Sequence, residues 1–271
     1  MRIRTHLLST VAGLALAFVA VAAHAQALQQ GRLLLATQVL TDISQSRDQG
    51  IPERLLEHAY GIAVIPDYTK VAFFLGGARG HGVLVVRNRR GYFSNPIFIT
   101  LTGGSFGFQW GVQKTDLVLV FTSWKGIEGI TGGKLTLGAD VSVAAGPLGR
   151  QASAATDQAF NAGVYSYSHT RGIFAGVALS GGALTVDSSS NSIFYRHPGL
   201  FTSDIISGTV GTHDYAAEKF MAAVAQETGT QPATSTANSA AAAPGQPPVP
   251  AGQKPPAAQA FPLKSNDGNP N

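Results

Sequence analysis

The 271-residue sequence contains no cysteine. This excludes disulfide stabilisation, a lipid-modified cysteine anchor, thiol catalysis, and zinc or iron–sulfur centres held by cysteine. Charge is also scarce: 13% of residues, with 19 Lys and Arg against 15 Asp and Glu. A nucleic-acid binder carries a clear basic excess gathered on one face, and this chain as a whole has none. Long apolar runs are absent apart from residues 7–22, which follow Arg2 and Arg4 and lead to Ala23, His24 and Ala25. A basic start, a short apolar run and an A-x-A ending describe a secretory signal peptide over residues 1–25, cleaved before Gln26. The run is short for a membrane span. Losing Arg2 and Arg4 leaves 17 basic residues against 15 acidic, so the exported product is close to neutral. It is expected to be periplasmic or secreted, or peripheral on a membrane.

Three regions follow from composition: the leader at 1–25, a folded domain at 26–229, and a tail at 230–271 made mainly of Ala, Pro, Ser, Gln and Gly. Such a tail cannot bury enough apolar surface to offset the entropy of ordering it, and is expected to be disordered. Within the domain, Leu28, Leu35, Val39 and Ile43, flanked by Leu33, Ala36 and Leu40, predict a helix over Ala27 to Asp48. A second, shorter helix is predicted from Pro52 to Tyr60 and ends at Gly61.

From Ile62 the texture becomes β. Strand candidates are Ile62 to Ile65, Val71 to Leu75, Gly82 to Arg87 and Tyr92 to Thr100, with a turn at Asn88 to Gly91. The centre of the chain is Leu101 to Phe121. Period two puts Gly104, Phe106, Phe108, Trp110 and Val112 on one side, and Gly103, Ser105, Gly107, Gln109 and Gly111 on the other. The glycine side predicts that another backbone, a helix or a ligand comes close. Gln113 to Asp116 reads as a break and Leu117 to Phe121 as a second, fully buried strand. Leu135 to Val143 alternates as one half-buried strand, and three short strands follow at 163–169, 172–179 and 183–187. Asp187 and Asp214 are candidate helix caps, the second for a helix ended by Gly229. The fold class is therefore α+β: an antiparallel sandwich or barrel-like core, with N-terminal amphipathic helices and a C-terminal helix.

Catalytic signatures are weak. Gly103 to Gly107 matches G-x-S-x-G, but a nucleophile elbow needs a sharp strand-to-helix turn, and Ser105 lies inside an alternating strand. Asp116, Asp140, Asp157 and Asp187 are scattered singly and leave open an acid–base pair formed in space. No two histidines stand at metal-binding helical spacing, and the glycines at 76–82 are not followed by G-K-[ST]. No metal or cofactor is expected. One local charge feature stands out: Arg87, Arg89 and Arg90, with Arg79 and His81 one strand earlier.

Several segments together are similar to the SYLF domain. They are GIAVIP at 61–66 with Lys70, GVLVVR at 82–87, TGGSFGFQWGVQKTDLVLV at 102–120, LGADVSVAAGPLGR at 137–150, ATDQAF at 155–160 and VYSYSHTRGIFAGVALSG at 164–181. Asp187, Asn191 and Tyr195 complete the match. The resemblance implies a lipid-binding domain without established catalytic residues. In eukaryotes it binds phosphoinositide membranes and, in yeast actin regulators, actin filaments; in bacteria it follows a signal peptide and serves the cell envelope. It further implies that the N-terminal helix touches membrane, although that helix carries only Arg32 and Arg47 as basic residues. Two modes of contact with a phospholipid or membrane surface follow. In one, anionic headgroups meet Arg79, Arg87, Arg89 and Arg90. In the other, an acyl chain lies in an apolar groove between helix and sheet, at Leu35 and Val39 beside Arg32. The alternatives from other classes are a secreted hydrolase using Ser105 or paired aspartates, and a structural or interaction protein whose glycine face receives a partner.

Overall fold

Valine, isoleucine and leucine in unbroken runs cannot alternate between core and solvent, so strands such as Gly61 to Ile65 and Leu117 to Phe121 must be covered on both faces. A computed structural model of the chain shows how. It describes residues 25–42, 50–72, 75–88, 90–106, 111–148, 161–170, 173–177, 179 and 181–230. Residues 1–24 of the expected signal peptide at 1–25, and residues 231–271 of the expected tail at 230–271, lie outside them.

Helix α1 spans residues 25–42 and α2 spans Glu53–Glu57. Then come β1 (Gly61–Ala72), β2 (Leu75–Val86), β3 (Ile97–Phe106) and β4 (Gly111–Phe121). Helix α3 (Trp124–Thr131) leads to β5 (Lys134–Thr136), β6 (Val143–Ala145), β7 (Val164–Thr170), β8 (Ile173–Gly176) and β9 (Ala183–Val186). The chain continues through α4 (Ser188–Phe194), α5 (Thr202–Ser207) and α6 (Tyr215–Thr228). Among the described residues the nine strands form one mixed sheet, curled as a half-barrel, in the order β5-β9-β3-β2-β1-β4-β7-β6, with β8 also paired to β7. Every pairing is antiparallel except β6 with β7. Of the two expected arrangements, the barrel-like one is observed, in an α+β fold.

Each face of the sheet has its own core. On one face Leu33, Ala36 and Leu40 of α1 and Phe220 and Val224 of α6 pack on Ile62, Val64, Val83, Val85, Val118 and Val120. On the other, Ile127 and Ile130 of α3 and Ile205 of α5 cover Ile65, Leu84, Ile99, Leu117 and Leu119. Each fully buried aliphatic side chain contributes about 1.5–3 kcal/mol relative to exposure. The caps read from sequence are present. Asp187 accepts the Ser190 N–H at the start of α4, Asp214 accepts the Ala216 N–H at the start of α6, and Gly229 ends α6 at φ 64°. The Asn88 to Gly91 turn also forms: Asn88 Oδ1 accepts the N–H groups of Arg90 and Tyr92, and Gly91 takes φ 86°.

Several expectations are corrected. The central segment does not break at Gln113 to Asp116; these residues lie within β4, Gln113, Lys114 and Thr115 paired with Lys70, Thr69 and Tyr68, and Asp116 with His169 of β7. Their polarity marks a strand half that leaves the covered core, not a turn. Strands β3 and β4 belong to the same sheet, with the β2–β1 hairpin between them. Residues 107–110, with Phe108 and Trp110 of the expected aromatic face, lie outside the described residues. Leu135 to Val143 is not one strand. Gly138, at φ 86°, turns the chain so that Leu137 bridges Val141, and Leu135, Leu137 and Val141 are buried by folding back. The second helix is shorter than expected, and α3 runs to two turns from its Ser123 cap. Helix α5 carries little sequence signal.

The glycine face has a local explanation. A bulge between Ile65 and Tyr68, with Asp67 at φ 51°, pushes β1 against β2. A Cβ on Gly82 would lie 2.5 Å from the Val64 carbonyl oxygen, and one on Gly80 or Gly103 would strike Tyr68 at 2.9 Å. Of the expected glycine side only Gly103 has described surroundings, and what comes close to it is the Tyr68 side chain of β1. Gly107 lies outside the described residues.

Candidate functional site

Helix α1 has to satisfy the sheet with one face, and the heptad-like spacing of Leu33, Ala36 and Leu40 does so. Val39 joins them at 4% exposure, so the interval between α1 and the sheet is filled by the helix's own side chains. Arg32 also turns inward. Its Nη1 lies 3.5 Å from Asp187 Oδ2, and its guanidinium sits 5.3 Å from the centroid of the Phe98 ring. Burial lowers the Arg32 pKa against the opposing pull of Asp187. The outer face of the same helix is apolar too: Leu28 is 58% exposed, and Leu34 and Leu35 are each 46% exposed. Of the three helix candidates, Leu35 therefore faces out while Arg32 and Val39 face in.

The arginines separate as well. Arg87 Nε donates to the Ala59 carbonyl at 2.8 Å and its Nη2 to the Glu57 carbonyl at 2.8 Å, while the guanidinium lies 4.7 Å from the centre of the Phe93 ring. It closes the end of α2, and burial lowers its pKa. Arg90 is exposed on the turn, and Arg89 lies outside the described residues. Arg79 is exposed on β2, where the register places it beside Thr69 of β1, itself paired with Lys114 of β4. The fold thus puts Arg79 and Lys114 in one row on either side of Thr69, an arrangement invisible in sequence.

Three residues that carry the SYLF resemblance stitch α4 to β3. Asn191 Oδ1 accepts the Phe98 N–H and its Nδ2 donates to the Phe98 carbonyl; Tyr195 donates to the Pro96 carbonyl at 2.6 Å. Asp187 caps α4, accepts from the Ser190 hydroxyl at 2.7 Å, and lies 3.8 Å from His81 Nδ1. Burial alone would raise its pKa. The Ser190 N–H and O–H, then Arg32 and His81, outweigh burial and hold the carboxyl below its ordinary value. His81 is lowered by burial first, then by Arg32 and Arg79.

Spatial pairing of aspartate with histidine occurs, but without a nucleophile's geometry. Ser190 donates to Asp187, not to an imidazole. His169 Nδ1 lies 3.2 Å from Asp116 Oδ2 and its Nε2 3.9 Å from Asp42 Oδ2, joining α1, β4 and β7 across 53 and more residues of sequence. Asp140 accepts the Thr136 N–H, and Asp157 lies outside the described residues. Ser105 is paired with Gly76 near the end of β3, in extended backbone and not at a strand-to-helix turn. A hollow of about 260 Å³ beside α3 is lined by polar groups, including Lys125, Asp140, Ser142 and Asn161, and offers no apolar slot for an acyl chain. Among the described residues no three His, Asp or Glu side chains converge on a metal position, and no helix is long and apolar enough to cross a membrane.

Comparison with known proteins places this geometry. Residues 102–227 match the family described as Ysc84, Las17-binding protein actin regulator. LAS seventeen-binding protein 3 of Saccharomyces cerevisiae is 36% identical over 165 residues, covering 60% of this chain and 36% of that protein. Protein YSC84 of the same yeast is 38% identical over 151 residues, 55% of this chain and 32% of its own length. The human SH3 domain-containing YSC84-like protein 1 is 35% identical over 149 residues, 55% of this chain and 43% of that protein. The chain spans half or less of the length of these relatives.

Proposed function

From the match of residues 102–227 to the Ysc84 family, the SYLF domain, we propose that this chain is a non-enzymatic module that binds a phospholipid membrane surface in the cell envelope after export. The carrying observation is the outward face of α1. A helix with one face in the core normally turns polar residues to water. Here Leu28, Leu34 and Leu35 stand in solvent on a helix whose inner face is already satisfied. Moving such half-exposed leucines into lipid yields about 1 kcal/mol each. This is enough for reversible attachment when several act together.

The test is cosedimentation with vesicles of mixed neutral and anionic phospholipid. Leu35→Glu is expected to lose most binding while its circular dichroism stays that of the wild type. Equal sedimentation of wild type and variant would remove α1 from the contact. Native mass spectrometry of protein purified from the envelope fraction should show lipid carried along, and its N-terminus should be Gln26.

The relatives' names favour a second reading, a protein-binding scaffold. Two of them are named as Las17-binding or as SH3-containing proteins, and the α1 leucines suit a partner's apolar surface equally well. Vesicle binding separates the two, because a scaffold of this kind sediments only when its partner is present.

A further inference from the structure

The sheet leaves the cover of its helices toward the β1–β2 and β3–β4 ends, and there its register builds two successive rows on the α1 face. The first row runs Thr102, Arg79, Thr69, Lys114 across β3, β2, β1 and β4. The second, two residues further out, runs Gly104, Gly77, Val71, Val112. Arg79 and Lys114 are exposed. Val112 is 64% exposed and Val71 37%, and a Cβ on Gly77 would meet open space. Asp67 lies 3.9 Å from Lys114, but both side chains are more than half exposed, so that pair is weak and leaves the ammonium available. Lys70 adds a third cation at the intermediate level on the opposite face, paired with Ala78 and Gln113.

We propose that this end of the sheet is an edge-on docking surface for an anionic phospholipid bilayer, with the Val71–Val112 row at the acyl boundary and Arg79 and Lys114 at the phosphates. The inference rests on the membrane reading above and adds to it the surface that makes the contact and its orientation. The order of the rows decides between occupants. Two residues along a strand span about 6.6 Å, which matches the shallow depth of about 5–10 Å reached by interfacial segments. Apolar groups outermost with cations one step behind is the polarity profile of an anionic bilayer surface. A protein groove more often meets the reverse, an apolar centre inside a charged rim.

The absence of cysteine allows single-site labelling of the full exported chain. Val112→Cys and Leu35→Cys, each carrying an environment-sensitive fluorophore, are mixed with phosphatidylcholine vesicles with or without phosphatidylglycerol, and sedimentation is read in parallel. The Val112 probe is expected to shift to the blue and to be quenched by lipids brominated in the acyl chain. Both effects should require phosphatidylglycerol and fade as salt is raised. Each cation near an anionic surface is worth about a fivefold change in affinity, so Arg79→Gln with Lys114→Gln should weaken binding about 25-fold, and the two glutamate substitutions more. Both side chains are exposed, so the variants should keep the wild-type spectrum and melting point.

Protein that sediments with vesicles while the Val112 probe stays in water overturns the edge-on orientation and leaves the membrane reading standing. Failure of the wild type to bind any vesicle overturns both. A blue shift of the Val112 probe that depends on protein concentration without vesicles assigns the row to a second copy of the chain, and likewise overturns the proposal.

Discussion

Gly77 and Gly82 stand on the same strand, five residues apart, and differ in what a methyl group would meet. Gly82 faces the β1 bulge, where the Val64 carbonyl oxygen would lie 2.5 Å from a new Cβ; at Gly77 there is nothing within 4 Å. Gly82→Ala should cost about 1–3 kcal/mol in urea denaturation, as backbone cannot yield like a side chain. Gly77→Ala should be neutral or gain up to about 0.5 kcal/mol from reduced freedom of the unfolded chain. Equal midpoints for the two variants would remove the close-approach account of this face. A second residue-scale expectation concerns acid. His81 is held below its ordinary pKa, so the folded state binds fewer protons there than the unfolded state. Its contribution is present above about pH 6.5 and is lost as pH falls below that value. Asp187 is also held low, and its contribution is present above about pH 4 and is lost as pH falls through the folded pKa. Stability curves against pH should therefore fall in two steps on acidification. His81→Gln should flatten the upper step and Asp187→Asn the lower. A single step unaffected by His81→Gln would show that the imidazole contributes nothing.

At the scale of elements, the basic cluster is divided between structure and surface. Arg87 supplies the donors that the end of α2 lacks, taking the carbonyls of Glu57 and Ala59 and covering Phe93. Charged hydrogen bonds to otherwise unpaired carbonyls make Arg87→Ala about 2 kcal/mol destabilising by thermal or urea unfolding. Arg90→Ala should stay within about 0.5 kcal/mol, since Arg90 is exposed on a turn held by the Asn88 side chain. The reverse ranking would show that the α2 closure is incidental. Helix α1 divides in the same way. Spacing predicted the helix but not its inner side: Val39 of the expected stripe Leu28, Leu35, Val39 and Ile43 is buried with Leu33, Ala36 and Leu40, whereas Leu28 and Leu35 are exposed and Ile43 lies outside the described residues. The outward leucines were legible only as leucines, since the sequence does not say which face is already satisfied.

At the scale of the whole molecule, α6 closes on Gly229, and the Thr230 N–H donates to the Ala225 carbonyl, so the helix is capped there. Truncation after Thr230 should leave the melting temperature within the equivalent of about 0.5 kcal/mol, measured by calorimetry on the exported chain. A clear drop would mean that residues 231–271 dock on the domain. The order of the sheet is the other property at this scale. Strands β3 and β4 are consecutive in sequence yet separated by the β2–β1 hairpin, and this interleaving sets Arg79 and Lys114 on either side of Thr69 and Val71 beside Val112.

By itself the sequence determined what depends on local chemistry. The helix caps at Asp187 and Asp214, the Asn88 turn, the buried runs of β1, β2 and β4, and the α+β class all follow from groups within a few residues of one another. Tertiary structure alone decided what depends on which strands pair. Polar residues at 113–116 can mark a turn or an uncovered half-strand, and only the partner strand distinguishes them. Alternation over 135–143 is the same whether the chain runs on or folds back at Gly138. The Arg87 donors, the bulge beneath Gly82, the His169 link between Asp116 and Asp42, and the paired rows at the sheet's open end all join residues far apart in the chain. Contacts of that kind are fixed by register, a global property in which a shift of one residue exchanges the two faces of a strand.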